Sequence, residues 1–156
     1  LHLCDRRQRQ MCIRDRLNRE DAQEVEALER EAFPDPWSLK SIEGTLEQKN
    51  YVNLGVWREG ELLGYLFFSC MMDEGEIIRI ATAPKERRKG IAKLLFSELK
   101  KKCIEQGVDK WMLDVRAGNE AALACYRKLG FREDGCRKNF YTAPVEDAVL
   151  MSCKIR

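Results

Sequence analysis

The sequence predicts one α/β domain built on a mixed, mostly antiparallel central sheet with helices flanking it. Three observations carry that expectation. Two apolar, aromatic runs at residues 51–57 and 62–70 flank the turn Arg58-Glu59-Gly60-Glu61, the pattern of a hairpin. A β-branched run from Glu76 to Thr82 leads into an amphipathic helix and then a further apolar run at 110–115, so strand, helix crossover and strand imply a locally parallel pair. The chain has 156 residues, 44% of them hydrophobic and 35% charged, enough for one domain with its own core and no sign of a second.

Residues 1–16 read differently from the remainder. They carry a net charge of +3 out of a total of +2, leaving −1 for the rest. We expect them to be a disordered or non-native extension, with the domain proper at 17–156; the competing reading is a basic arm for RNA. Asn18 is placed to cap a helix whose apolar face is Ala22, Val25, Leu28 and Ala32, with Glu20 and Asp21 suited to its first turn. Pro34 and Pro36 stop it, and Ser38 can cap a second short helix with Leu39, Ile42 and Leu46 on one side. Phe33 and Trp37, between the two, either pack into the core or line a substrate loop.

The turn at 72–75 passes the chain into the strand that begins at Glu76, completing an antiparallel meander. The next helix is marked by Ile91, Leu94, Leu95, Leu99 and Cys103 on one stripe, and Gly107 can end it. Asn119 can cap a helix over 120–129, ended by Gly130. Residues 131–135 and 148–155 read as two closing strands joined by a long loop at 138–147.

Composition excludes several chemistries. His2 is the only histidine, which removes Ser-His-Asp, Cys-His and histidine-based zinc sites, and no metal cluster is expected. Any acid or base must be a carboxylate, Tyr, Lys or Cys. The seven scattered cysteines form no Cys-x-x-Cys pair and read as reduced, mostly buried thiols. The small net charge argues against a general nucleic-acid binder. With neither a membrane-length apolar run nor a signal-peptide pattern, a cytoplasmic location away from membranes is expected.

The loop Arg87-Arg88-Lys89-Gly90-Ile91-Ala92 gathers cations, a side-chain-free glycine and a helix N-terminus at one spot. Backbone N–H groups there, together with the positive end of the helix dipole, suit a phosphate; the alternative is a solvated basic turn. This segment resembles the Gln/Arg-x-x-Gly-x-Gly/Ala signature of the GNAT acetyltransferase superfamily. Ile80-Ala81-Thr82-Ala83-Pro84 is similar to that family's coenzyme-binding strand. Further motifs follow in order: Phe33-Pro34-x-Pro36-Trp37-Ser38, Leu113-Asp114-Val115-Arg116-Ala117-x-Asn119, Ala124-x-Tyr126-x-x-Leu129-Gly130-Phe131, Arg137-Lys138-Asn139-Phe140-Tyr141 and Glu146-Asp147-Ala148. Together they resemble the RimI-type ribosomal-protein-alanine N-acetyltransferases of the superfamily, from residue 18 to 156.

The resemblance implies a GNAT fold, whose parallel strands splay around acetyl-CoA, and acetyl transfer to the α-amino group of a protein N-terminus, in that family an alanine of a ribosomal protein. Ile80, Ala81 and Thr82, then Arg88, Lys89, Gly90, Ile91, Ala92 and Lys93, and Asn119 would bind the coenzyme. Free strand edges could pair with the pantetheine amides, and a free N–H near Ala81 could polarise the thioester carbonyl. Tyr126 lies seven residues after Asn119, hence on the same helix face, where it would give a proton to the departing thiolate; as a residue alone it could equally pack under the sheet. The family's general base is a glutamate where this chain has Asp114. Aspartate is one methylene shorter, so a bridging water or Glu76, at the start of the central strand, are the alternatives. Phe33, Trp37, Phe140 and Tyr141 would flank the peptide entrance. Rival readings are a GNAT enzyme for a small amine, an antibiotic or a lysine side chain, and a non-catalytic acyl-CoA-binding module.

Overall fold

The computed structural model describes residues 2–4, 11–14 and 16–155. Among them, strands β1 (His2–Cys4), β2 (Met11–Arg14), β3 (Tyr51–Arg58), β4 (Glu61–Met71), β5 (Glu74–Thr82), β6 (Lys110–Arg116), β7 (Arg132–Thr142) and β8 (Val145–Lys154) form one sheet in the order β1-β2-β3-β4-β5-β6-β8-β7. Helices α1 (Ala22–Ala32), α2 (Leu39–Leu46), α3 (Ile91–Gln106) and α4 (Glu120–Lys128) cover its faces. Every neighbouring pair is antiparallel except β5 with β6, as the strand–helix–strand pattern predicts. No described helix is long and apolar enough to cross a membrane.

A sheet covered on both sides needs apolar residues at successive positions, because neighbours point to opposite faces. β4 meets that need: Leu66 and Phe68 join the core beneath α3, while Tyr65 and Phe67 join the core beneath α1 and α2. Leu95, Phe96, Leu99 and Cys103 pack onto the first side; Val25, Leu28 and Ile42 pack onto the second.

Local signals set the helix ends. Asn18 and Asp21 form a reciprocal capping box around a 3-10 turn at Arg19–Asp21 that runs into α1. Ser38 accepts from the Ser41 N–H at 3.2 Å to start α2, and Gly107, at φ +78°, closes α3. In the β3–β4 turn Glu59 and Gly60 both have positive φ, the geometry that matches strand twist in a two-residue hairpin.

Three expectations are corrected. Residues 1–16 do not stand wholly outside the fold: β2 pairs with β3, setting Ile13 opposite Val56, and Ile13 is 1% exposed in the α3-side core. An open sheet edge recruits backbone whatever the side-chain composition, so charge content did not reveal it. The segment 138–147 is not a free loop, since β7 and β8 continue through it into a tight hairpin whose register slips between Arg137 and Tyr141. Cys12 lies in a disulfide, and of the free cysteines Cys103 is buried whereas Cys136 is exposed.

Candidate functional site

The site is built around a parting of two strands. β5 and β6 are paired only through Glu74 with Lys110, Gly75 with Trp111 and Glu76 with Met112. Just beyond, Phe68 of β4 faces Ile77 while Phe67 faces Arg79, so Ile78 is one residue extra in β5. Such a bulge bends its strand. From there β5 follows β4 and β6 follows β8, and no ladder among the described residues joins 78–82 to 113–116 across the gap. Backbone donors and acceptors facing that gap are open to a ligand that can pair with them, as the amides of a pantetheine arm can.

At one end of the gap stands the N-terminus of α3. Gly90 caps it in a left-handed conformation at φ +85°, Arg88 is also left-handed at φ +66°, and no side chain caps the helix. The first N–H groups of α3, on Ile91, Ala92 and Lys93, therefore lack intrahelical partners and converge with the dipole. A Cβ on Gly90 would meet nothing within 4 Å, so the glycine answers a backbone demand and leaves space above the loop. Beneath it, Glu86 is 1% exposed and pairs with Arg58 and, at 3.2 Å, with Lys89. The hydrogen bond from Arg58 holds the Glu86 carboxyl below the usual range. Lys89 thus pairs with Glu86 at the base of the loop while its side chain stays 60% exposed, and Ile80, Ala81 and Thr82 lie on the β5 edge of the gap.

At the other end the titratable candidates meet. Lateral neighbours in a sheet share a face, so Glu76 beside Met112 points the same way as Asp114, two residues on. That face is the α1–α2 side, because Glu76 also stands beside Ser69, two residues from Phe67. Burial raises the Glu76 carboxyl above its ordinary value, the Asp114 charge adds to the rise and Arg137 opposes it. Burial pushes the Tyr141 phenol up to about 12, with Asp114 adding to the effect and Arg116 and Arg79 working against it.

Tyr126 reaches the region from α4. Its ring packs edge-on against Phe96 and Phe131, at 6.2 and 5.7 Å between centroids. Burial raises its phenol well above the usual value, and the charges of Cys125 and Tyr141 add to that. The ring thus packs against the α3-side core, one of the two readings the sequence offers for it. Asn119 caps α4, its Oδ1 accepting from the Ala122 N–H at 3.2 Å, which leaves its amide N–H groups to offer.

The residues expected to flank a peptide entrance, Phe33, Trp37, Phe140 and Tyr141, are held by partners that sequence reasoning missed. The Arg79 guanidinium lies 3.6 Å over Phe33 and 5.3 Å from the Trp37 ring, and Trp37 stacks on Phe67 at 6.0 Å. Arg79 itself is gripped at both carboxylate oxygens of Glu29, which is 0% exposed and also accepts from the Tyr65 hydroxyl and, at 2.9 Å, the Trp37 N–H. Arg116 pairs with Asp35 at 2.9 Å and Glu146 at 3.2 Å and lies 4.4 Å from the Tyr141 ring. Phe140, 44% exposed, stands edge-on to Tyr141 at 5.1 Å. The available signal was an arginine inside the apolar run at 76–82 and a glutamate on the buried face of α1, both of which demand a buried partner. A depression of about 290 Å³ near Glu24, Leu28 and Glu61 shares none of these residues.

Comparison with known proteins places this geometry in context. A family model described as the acetyltransferase (GNAT) family matches residues 22–131. The chain is 32% identical over 130 residues to the [ribosomal protein bS18]-alanine N-acetyltransferase of Escherichia coli K12, covering 82% of this chain and 87% of that one. It is 31% identical over 146 residues to the protein of the same name from Haemophilus influenzae, covering 92% and 99%. The crystal structure of the ribosomal-protein-S18-alanine N-acetyltransferase from E. coli superposes with a TM-score of 0.86 at 31% identity, covering 93% of this chain and 94% of that one.

Proposed function

Because the chain belongs to the GNAT acetyltransferase family and is an N-acetyltransferase with acetyl-CoA as cosubstrate, we propose that its acceptor is the α-amino group of a protein N-terminus, a ribosomal protein that begins with alanine. The observation that carries the acceptor is similarity to bS18-alanine N-acetyltransferases over 87% and 99% of their lengths. The gap between β5 and β6 fits the coenzyme: its edges are unpaired, and an uncapped helix N-terminus with open space over Gly90 stands at one end.

In this reading Arg88, Lys89, Gly90, Ile91, Ala92 and Lys93 hold the pyrophosphate through backbone N–H groups and cations, and the Asn119 amide steadies the arm. The edge of Ile80, Ala81 and Thr82 pairs with the pantetheine amides and directs an N–H at the thioester oxygen, where negative charge develops. Asp114 or Glu76, directly or through a water, takes the proton that an ammonium must lose before its nitrogen can attack. The amine nitrogen then bonds to the acetyl carbon, the carbon–sulfur bond breaks, and Tyr126 donates its proton to the departing thiolate. The raised phenol pKa keeps Tyr126 protonated at neutral pH, so the proton is in place when the thiolate departs. Direct attack in a ternary complex suits a site that offers two candidate bases for the incoming ammonium.

The test is acetyl transfer from acetyl-CoA to short peptides with varied N-termini, alongside polyamines and an aminoglycoside, read by mass spectrometry. Acetylation confined to α-amino groups of Ala- or Ser-starting peptides is expected. Modification of the small amines alone would overturn the acceptor, and coenzyme binding without any product would overturn catalysis.

A further inference from the structure

We propose that Arg79 and Arg116 are positioning residues that fasten the loop at 33–37 as a strap across the mouth of the β5–β6 gap, with Asp35 as the clasp. The proposal rests on the acceptor reading above, since that mouth is where an amine must enter.

Pro34 and Pro36 lack an N–H, so the loop cannot hold itself by a regular ladder. Its anchors come from two strands that are diverging. From β5, Arg79 donates to the Asp35 carbonyl at 3.4 Å and covers the Phe33 ring at 3.6 Å. From β6, Arg116 donates to Asp35 Oδ2 at 2.9 Å. Asp35 therefore takes one arginine on its main chain and the other on its carboxylate. The remaining Arg116 donors go to the β7–β8 hairpin, at Pro144 O (2.9 Å), Ala143 O (3.3 Å) and Glu146 Oε1 (3.2 Å). Glu146 in turn accepts from the Gly118 N–H at 2.6 Å, just before the α4 cap. A single guanidinium thus joins both flanks of the entrance to the strand that carries Asp114. A rigid fork with five donors can satisfy these acceptors together; an ammonium cannot reproduce that geometry.

The variants are Asp35→Asn, which removes the clasp's charge but leaves its carbonyl to Arg79, and Arg116→Lys, which keeps the charge and loses the fork. In the free protein, hydrogen exchange over peptides spanning 33–38 should quicken by about tenfold in both, while β3 and β4 stay protected. In steady state, KM for the acceptor should rise about tenfold, with kcat changed less than about threefold and KM for acetyl-CoA unchanged. The double variant should be no worse than Arg116→Lys alone, because the two changes remove one shared contact. Unchanged exchange at 33–38, additive effects, or a parallel rise in KM for acetyl-CoA would each overturn the strap. If the wild type acetylates only small amines, the acceptor reading fails, and the same KM comparison on that amine with the exchange measurement still decides the strap.

Discussion

Replacing Glu29 with Gln probes the most buried charge among the described residues. Glu29 is 0% exposed and accepts four hydrogen bonds, two at each oxygen: from the Tyr65 hydroxyl and Arg79 Nε at Oε1, and from Arg79 Nη2 and the Trp37 N–H at Oε2. Glutamine keeps the shape but turns one acceptor oxygen into a donor that faces two donors. It also leaves Arg79, whose side chain is only 16% exposed, without its counter-charge. Breaking a buried pair costs about 3–5 kcal/mol. Arg79 retains the Phe33 face and the Asp35 carbonyl, which places Glu29→Gln at the lower end, about 3 kcal/mol. For a chain of this size that lowers Tm by about 9 °C. Thermal unfolding by circular dichroism measures it, with Glu26→Gln on the same helix as the control. Glu26 pairs with Arg30 at 3.6 Å on the surface and should shift Tm by less than about 2 °C. A fall in Tm for Glu29→Gln no larger than the control's would refute the argument that this carboxylate anchors α1 to the loop at 33–37.

Further outcomes follow for the site itself. Tyr126→Phe keeps the ring contacts with Phe96 and Phe131 and removes the proton, so kcat should fall about 10²-fold with acetyl-CoA affinity retained, measured by steady-state kinetics and calorimetry. Asp114→Asn separates the candidate bases. The Asp114 charge helps hold the Glu76 carboxyl above its ordinary value, so removing it lets the Glu76 pKa drop. If Glu76 is the base, the acidic limb of the kcat/KM profile moves to lower pH and kcat survives; if Asp114 is, kcat falls about 10²-fold at every pH. Gly90→Ala puts a side chain at φ +85°, which should cost about 1 kcal/mol or more in stability and weaken acetyl-CoA binding while leaving acceptor KM unchanged, read by unfolding and titration.

Much of the scaffold was legible because its signals are local. Capping residues Asn18, Ser38 and Asn119 sit where their side chains start helices, and the glycines at 107 and 130 adopt the positive φ that ends them. The succession of strand, helix and strand at β5, α3 and β6 makes a parallel pair once the two strands are neighbours, and the basic loop before Ile91 lies at the N-terminus of α3. The pairing of β2 with β3 and the long β7–β8 hairpin were missed because strand pairing is decided by which edge is free, a property of the whole sheet.

The candidate site divides along the same line. By itself the sequence determined which residue types are present, their order and their helical or strand periodicity, and so it located the basic loop before α3 and placed Asn119 at the cap and Tyr126 within the body of one helix. Only the tertiary structure decided where β5 and β6 part, since that depends on the single extra residue at Ile78 measured against β4. It also decided that Glu29 meets Arg79 across 50 residues and Asp35 meets Arg116 across 81. Ion pairs at such separations leave no periodic trace, because charge complementarity acts through space after the chain has closed, whereas periodicity records only what neighbours along the chain share.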